Sequence, residues 1–188
     1  MTNTVPISSA VKHAAEFLEK IQKSIDKDSG AKADLKRALT GEPRHQRAAY
    51  PIVLRYLSEN EAKYDLDQWL WVMGFLAYYE QTIDPANKMT FGDSARRLKD
   101  ENSSGGPERR FRALLETSID DLRSPLTSMV RLMKSKKIAI NYPQLLVDLK
   151  QWNHPDQYIQ DKWARAFWNA PKSDTAPEEG GGNDVTET

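Results

Sequence analysis

The stretch Asp65-Leu-Asp-Gln-Trp-Leu-Trp-Val-Met-Gly-Phe-Leu-Ala-Tyr-Tyr-Glu-Gln-Thr82 decides the fold class. Leu66, Trp69, Leu70, Val72, Met73, Phe75, Leu76, Tyr78 and Tyr79 leave almost no polar face, and the run is too long for an ordinary strand. It reads as a buried helix at the centre of a helical protein. On either side of it, apolar residues return every three or four positions. Val11, Ala14, Leu18, Ile21 and Ile25 mark one face of a first helix that stops near Ser29-Gly30. Ala31 to Leu39 reads as a second helix, and Arg47 to Leu57 as a third that Pro51 interrupts or bends.

Asp84-Pro85 ends the central helix, and Thr90-Phe-Gly-Asp93 carries the side chains that cap a new one. Asn102-Ser-Ser-Gly-Gly106 combines polar turn residues with two glycines and reads as a linker. Pro107 suits the first turn of a helix to about Thr117, and Ser124-Pro125 the start of one to about Lys136. Asn141 with Pro143, and Asn153 with Pro155, repeat that signal. The expectation is an all-α protein of eight or nine helices in two small lobes, residues 1–101 and 107–170. From Pro171 the composition has almost nothing to bury, and the acidic tail 171–188 is expected to be disordered.

The chain has 188 residues, 39% apolar and 29% charged, as a globular domain requires. It has no run of about 18 apolar residues and opens on a mixed-charge amphipathic stretch, so membrane insertion and secretion are not indicated. With no cysteine, disulfides, thiolate metal sites and cysteine nucleophiles are excluded, which fits a cytoplasmic protein. The three histidines, His13, His45 and His154, are far apart and in no metal-ligand spacing. Asp65/Asp67 and Asp120-Asp121 sit where helices begin and serve the helix dipole. No phosphate-cradling glycine loop, serine elbow or HExxH is present. No catalytic residue, cofactor or metal is expected.

The net charge of zero conceals patches. Residues 31–47 hold five Lys/Arg against two acids, 96–112 six against three, and 131–137 four against none, whereas 58–93 hold two against seven. Attraction to a polyanion is screened over about 8 Å at physiological salt, so distant acids barely oppose a basic face. The candidate nucleic-acid-binding residues are Lys32, Lys36, Arg37, Arg44, Arg47, Arg96, Arg97, Arg109, Arg110, Arg112, Arg131, Lys134, Lys136 and Lys137. In 107–116, Phe111, Leu114 and Leu115 share one face, Arg109 and Arg112 the opposite one, with Arg110 at the margin. Guanidinium forks suit phosphate oxygens, and several such contacts give strongly salt-dependent, sequence-independent affinity. A charge run on a helix is also the ordinary signature of a solvated face, and both readings stand on residues alone. Trp69, Trp71, Tyr78, Tyr79, Trp163 and Phe167 read as core rather than base-stacking platforms; Trp168, Tyr50 and Tyr64 are open.

Several motifs in order resemble one family: Glu108-Arg-Arg-Phe-Arg-Ala-Leu-Leu115, Val130-Arg-Leu-Met-Lys-Ser-Lys-Lys137, Ile140-Asn-Tyr142, Leu145-Leu-x-Asp-Leu149 with Trp152, and Trp163-Ala-Arg-x-Phe167. Gly30-Ala-Lys-Ala-Asp-Leu-Lys-Arg-Ala38 and Thr90-Phe-Gly92 before Arg96-Arg97 precede them. Over about residues 8–169 the chain resembles the CasB family, the small subunit of the type I-E CRISPR Cascade complex. The loop 102–106 and the tail lie outside the pattern. The resemblance implies a non-enzymatic, two-lobed helical protein, paired head-to-tail with a second copy. It implies contacts with the backbone and large subunits, and a basic surface holding the DNA strands of the R-loop opened by the guide RNA. By motif match, Lys36, Arg37, Arg109, Arg110 and Arg112 are its first carriers, with Lys134, Lys136 and Lys137 after them. Arg165 fits a buried ion pair or a subunit contact as readily as DNA. A helical adaptor that binds only protein and a small enzyme are the competing classes; the first lacks any salt-dependent DNA affinity, the second needs a titratable site the sequence does not show.

Overall fold

A computed structural model describes residues 8–99 and 105–168. The described residues contain ten α-helices, one short 3₁₀ turn and no strand, so the all-α expectation holds. In chain order the helices are α1 Ser9–Ile25, α2 Ser29–Ala38, α3 Pro43–Val53, α4 Glu59–Tyr64, α5 Leu66–Tyr78, α6 Phe91–Arg96, α7 Gly106–Leu115, α8 Ile119–Ser135, α9 Tyr142–Lys150 and α10 Tyr158–Trp168, with the 3₁₀ turn at Leu54–Tyr56. The tail expected from Pro171, and most of the linker expected at 102–106, lie outside the described residues.

Helix α5 is the axis. Every residue from Trp69 to Ala77 is buried, and α1, α2, α3, α4, α8 and α9 all touch it. Gly74 lets α2 approach: a Cβ there would lie 2.9 Å from the Leu35 carbonyl oxygen. Helix α1 buries the face read from its sequence, Val11, Ala14, Leu18, Ile21 and Ile25, and lies against α9 as well as α5. Helix α6 packs on α10. The buried side chains form one cluster that draws on helices from both sides of residues 100–104.

Two capping devices confirm their sequence signals. Thr90 and Asp93 form a reciprocal capping box at α6, and the Asn141 side chain accepts the Gln144 amide at α9, with Pro143 in the first turn. Several boundaries differ. Helix α1 ends at Ile25, and Ser29-Gly30 opens α2 instead of closing α1, with the Asp28 side chain capping the Ala31 amide. Helix α3 starts at Pro43 rather than Arg47 and ends at Val53, with Pro51 inside it. Helix α5 ends at Tyr78, ahead of Asp84-Pro85. Helix α4 is additional to the expected eight or nine; Ser58 and Glu61 form a capping box there. Helix α8 starts at Ile119 rather than Ser124, with Asp120 and Asp121 in its first turn and Pro125 inside it. Pro125 withholds only the amide that would meet the Asp121 carbonyl, and Asp121 is exposed, so water can serve that oxygen. Helix α10 starts at Tyr158, beyond the Asn153/Pro155 signal, because Gln157 takes a left-handed φ of 50° that breaks any earlier turn.

Two polar side chains deep in the core are matched by partners on other helices, whereas the indole N–H groups of Trp69 and Trp71 have no hydrogen-bond partner among the described residues. Asp148, 1% exposed, accepts the Trp163 indole N–H at 2.6 Å, the Gln144 amide at 2.8 Å and the Lys162 ammonium at 2.7 Å, tying α9 to α10. This is the buried ion pair of the region; Arg165 is exposed and makes none among the described residues. Tyr142 donates its hydroxyl to the carbonyls of Phe75 (3.2 Å) and Tyr79 (2.8 Å) at the end of α5. Burial, with a smaller effect from Tyr79, pushes its phenol well above the ordinary tyrosine value.

At the other end of α5, Glu61 links three helices. It faces His13 of α1 at 3.3 Å and Lys150 of α9 at 3.6 Å, and accepts the Ser58 hydroxyl at 2.7 Å. Burial pushes the Glu61 carboxyl up, but the Ser58 hydroxyl and amide, Lys150 and His13 together hold it below the ordinary value. A carboxyl lowered in the folded state stabilises above its unfolded pKa, and that contribution is lost as pH falls through the folded one. Glu61→Gln is therefore expected to cost about 2 kcal/mol at neutral pH. In acid the gap between variant and native chain should close, as urea unfolding over a pH series would measure.

Candidate nucleic-acid interface

Two of the basic groups converge. On α2, Leu35, Ala38 and Leu39 point into the core, which places Lys32 and Lys36, one turn apart, on a single flank. On α8, Leu122, Leu126, Val130 and Met133 point inward, which places Arg123, Arg131 and Lys134 on one flank. Contacts pin these flanks to each other through α5. Lys32 pairs with Glu80 just beyond the C-terminal end of α5. Lys134 donates to the Tyr78 carbonyl at 2.7 Å and sits 4.0 Å from the centre of the Tyr78 ring. At the opposite end, Arg123 donates to the Leu39 carbonyl at 2.6 Å. Helices α2 and α8 thus run antiparallel beside α5, and Lys32, Lys36, Arg123, Arg131 and Lys134 form a cationic strip along them.

Arg123 is a residue that sequence reasoning misses. With the start of α8 placed at Ser124, Arg123 falls in a loop with no face to count. Gly41 makes its position possible: φ is 76°, and a Cβ there would lie 2.1 Å from the Arg123 guanidinium carbon. Within the strip, Lys36 and Arg131 are exposed and make no ion pair among the described residues.

Lys136 and Lys137 follow at the end of α8. Lys137 has a φ of 55°, and the Ile138 amide returns to the Met133 carbonyl at 2.9 Å, closing the helix as a Schellman turn. Lysines here also complement the negative end of the helix dipole, which gives them a structural role beside any binding one.

A second basic group surrounds an exposed tryptophan. Phe111 of α7 stacks on Phe167 of α10, ring centres 4.2 Å apart, and brings α7 beside the end of α10. Arg112 lies 5.7 Å from the Trp168 ring centre and pairs with Glu108 at 3.3 Å. Lys99, beyond the end of α6, lies 4.1 Å from the Phe167 ring and 5.8 Å from that of Trp168. Trp168 is 38% exposed, which settles one of the open aromatics. Arg109 and Arg110 are exposed and unpaired among the described residues, with Arg109 one turn from Arg112, as the helical face predicts. Arg96 is half-buried, and Arg97 lies 3.6 Å from the Met89 sulfur. Lys99 is not among the expected residues; only the tertiary contact with α10 distinguishes it from any lysine after a helix.

The remaining candidates stand apart. Arg37 projects away from the Lys32/Lys36 flank and pairs with Asp34 at 3.1 Å. Arg44 pairs with Glu42 at 2.8 Å, and Arg47 is exposed on α3. No hydrogen bond, ion pair or ring contact among the described residues joins these three to either group. The histidines lie separately, in contact with Glu61, Thr40 and Asp156, and the described residues hold no group of three or more potential metal ligands. No helix among them is long and apolar enough to cross a membrane.

The family model for the CRISPR-associated protein Cse2 matches residues 31–168, which include every one of these basic residues. The chain belongs to the Cse2 family. This is the CasB family of the sequence resemblance. A Cse2 protein of Thermus thermophilus is 29% identical over 147 residues, covering 78% of this chain and 83% of the relative. The crystal structure of a Cse2-family protein from that organism superposes with a TM-score of 0.69 at 24% identity, covering 84% of this chain and 98% of the other. A chain of a CRISPR RNA-guided surveillance complex superposes at 0.71 with 19% identity, covering 85% and 94%. The helical order of this Cse2 chain is therefore that of the family fold.

Proposed function

We propose that this chain is the small, non-catalytic subunit of a type I-E CRISPR RNA-guided surveillance complex, Cascade, acting in the cytoplasm. In that role it meets the backbone and large subunits and a second copy of itself, and its basic surfaces hold the DNA of the R-loop. The observation that carries the DNA part is the strip of Lys32, Lys36, Arg123, Arg131 and Lys134, cations from two helices aligned over a common support. Family membership and the likeness to a chain of a surveillance complex support the assembly part.

The physics suits the task. Guide pairing reads the sequence, and exchange of a DNA duplex for an RNA–DNA duplex is nearly balanced, so protein contacts to the backbone tip it. Such contacts need cations in register with phosphates and no base-reading groups. Lysines and arginines on rigid helices meet that need, and nothing in either group is arranged for acid–base or nucleophilic chemistry.

The test is a salt series. The full chain is titrated with labelled random-sequence single- and double-stranded DNA, beside a variant with Arg109, Arg110 and Arg112 all changed to Glu. The expected result is binding whose logarithm falls linearly with the logarithm of salt, and a slope in the variant smaller by about 0.9 for each duplex phosphate it no longer neutralises. Since Phe111 and Leu114 carry the buried face of α7, the variant should keep its fold. Unchanged slopes, together with unchanged R-loop stability when the variant is assembled into the complex, would remove α7 from the DNA surface.

A further inference from the structure

Four of the five tryptophans belong to the core: Trp69, Trp71, Trp152 and Trp163 are at most 5% exposed. Trp168, the last residue of α10, is 38% exposed and is nonetheless held in place. Its indole N–H donates to Glu108 of α7 at 3.3 Å. The Phe167 ring meets it at 74° with centres 4.8 Å apart, and the Phe111 ring at 59° and 6.0 Å. Both rings are steeply inclined to it, so none among the described residues lies flat on the indole. Cations from three elements stand around it. Lys99 beyond α6 and Arg112 of α7 lie 5.8 and 5.7 Å from the ring centre. Arg109 is one turn before Arg112, and Arg165 one turn before Trp168 itself. All four are exposed, and of them only Arg112 makes an ion pair among the described residues, with Glu108.

An anchored indole ringed by cations calls for a ligand that is flat in one part and anionic beside it. A nucleotide within a single strand has both, a base with a π-face and a phosphate on either side. We propose that Trp168 is a stacking platform for an unpaired base of single-stranded DNA, with Lys99, Arg109, Arg112 and Arg165 receiving the flanking phosphates. This rests on the DNA-holding reading and adds to it a preference for unpaired strand that phosphate contacts alone do not give. A closed duplex keeps its bases inside the stack and offers the ring no face. An apolar side chain from a protein partner would cover the indole but leave Lys99, Arg109 and Arg165 without an anion. Stacking is tolerant of sequence, because every base has a π-face, and so suits a protein that reads none. It releases no counterions, which separates its contribution from that of the arginines.

The experiment follows the tryptophan fluorescence of the full chain, in which Trp168 is the one exposed indole, beside the anisotropy of labelled DNA. The probes are an oligothymidine, an abasic deoxyribose-phosphate strand of the same length, and a closed hairpin duplex. The expected result is saturable quenching by oligothymidine and none by the abasic strand or the hairpin, although both bind by charge. In Trp168→Leu, affinity for oligothymidine should fall about tenfold, while its salt slope and the affinity for the abasic strand stay as they were. Trp168→Phe, which keeps a ring, should retain most of the affinity. Melting temperature is the fold control, and the comparison of oligothymidine with the abasic strand on the native chain tests the same point without a substitution. Equal binding and quenching by the abasic strand, native affinity in Trp168→Leu, or a loss accompanied by a smaller salt slope would each overturn the proposal and leave the DNA reading standing. No binding of any probe at low salt would overturn both.

Discussion

Gly92→Ala is expected to destabilise the chain by about 4 kcal/mol, a large part of what a domain of this size holds. Helix α6 has only six residues and crosses α10 with no side chain at position 92. A Cβ there would lie 2.2 Å from the Trp163 carbonyl oxygen and 2.9 Å from its carbonyl carbon and Cα. These are backbone atoms, so relief requires the two helices to part. Trp163 cannot retreat cheaply: its indole donates to buried Asp148, and its ring lies 4.9 Å from those of both Phe91 and Trp152. Overpacking alone costs about 1–3 kcal/mol, and loosening a buried carboxylate from its donors adds to that. Urea denaturation would show the midpoint fall with little change in slope. Gly106→Ala is the control, since nothing lies within 4 Å of a Cβ there; it should change stability by less than about 0.5 kcal/mol. A Gly92→Ala chain as stable as the native one would mean that α6 and α10 do not touch as described.

Reversal of Lys36 and Arg131 to Glu is expected to weaken binding of random-sequence DNA about a hundredfold at low salt, with a salt slope smaller by nearly two for duplex. These two are chosen because both are exposed and neither holds the fold through an ion pair among the described residues. Lys134 and Arg123 would be poorer probes, since their hydrogen bonds to Tyr78 and Leu39 carbonyls make any change structural as well as electrostatic. Lys32 is partly neutralised by Glu80, so its loss should matter less. The reversal places repulsion on both sides of the strip, which is why its effect should exceed that of removing either charge. Melting temperature is the fold control. Affinity unchanged in the double variant would move the DNA contacts to the Arg109–Arg112 group or confine them to the assembled complex.

The parts of this fold that are legible from sequence are those where local chemistry decides. Helix α5 announces itself by unbroken apolarity, α9 by Asn141 with Pro143, α6 by Thr90 with Asp93. The late starts expected for α8 and α10 share a cause, which is that proline outweighs subtler signals when a helix start is read; α3 is the reverse case, since Pro43 in its first turn opens it four residues ahead of the expected Arg47. Pro125 draws the expected start of α8 forward although Asp120, Asp121 and buried Leu122 already belong to it. Pro155 does the same for α10 although Gln157 interrupts the chain. The Ser58/Glu61 box of α4 is a local signal too, and a six-residue helix gives it little periodicity to stand on. For the site, composition locates the basic clusters and helical periodicity gives the faces of α7. Neither can give the neighbours. That Lys32 and Lys134 meet the same end of α5, that Lys99 approaches Trp168, or that Asp148 receives Trp163 are facts of tertiary contact between separate elements.

The hydroxyl of Tyr142 and the ammonium of Lys134 have a consequence for the order in which this protein is made. The carbonyls they satisfy, of Phe75, Tyr78 and Tyr79, leave the ribosome more than fifty residues ahead of them. Until α8 and α9 emerge, the last turn of the central helix has only water to bond, and the strip of cations has no second side. Co-translational folding of the first half should therefore stop short of the native core, and binding competence should arrive late in synthesis, together with the closure of α5.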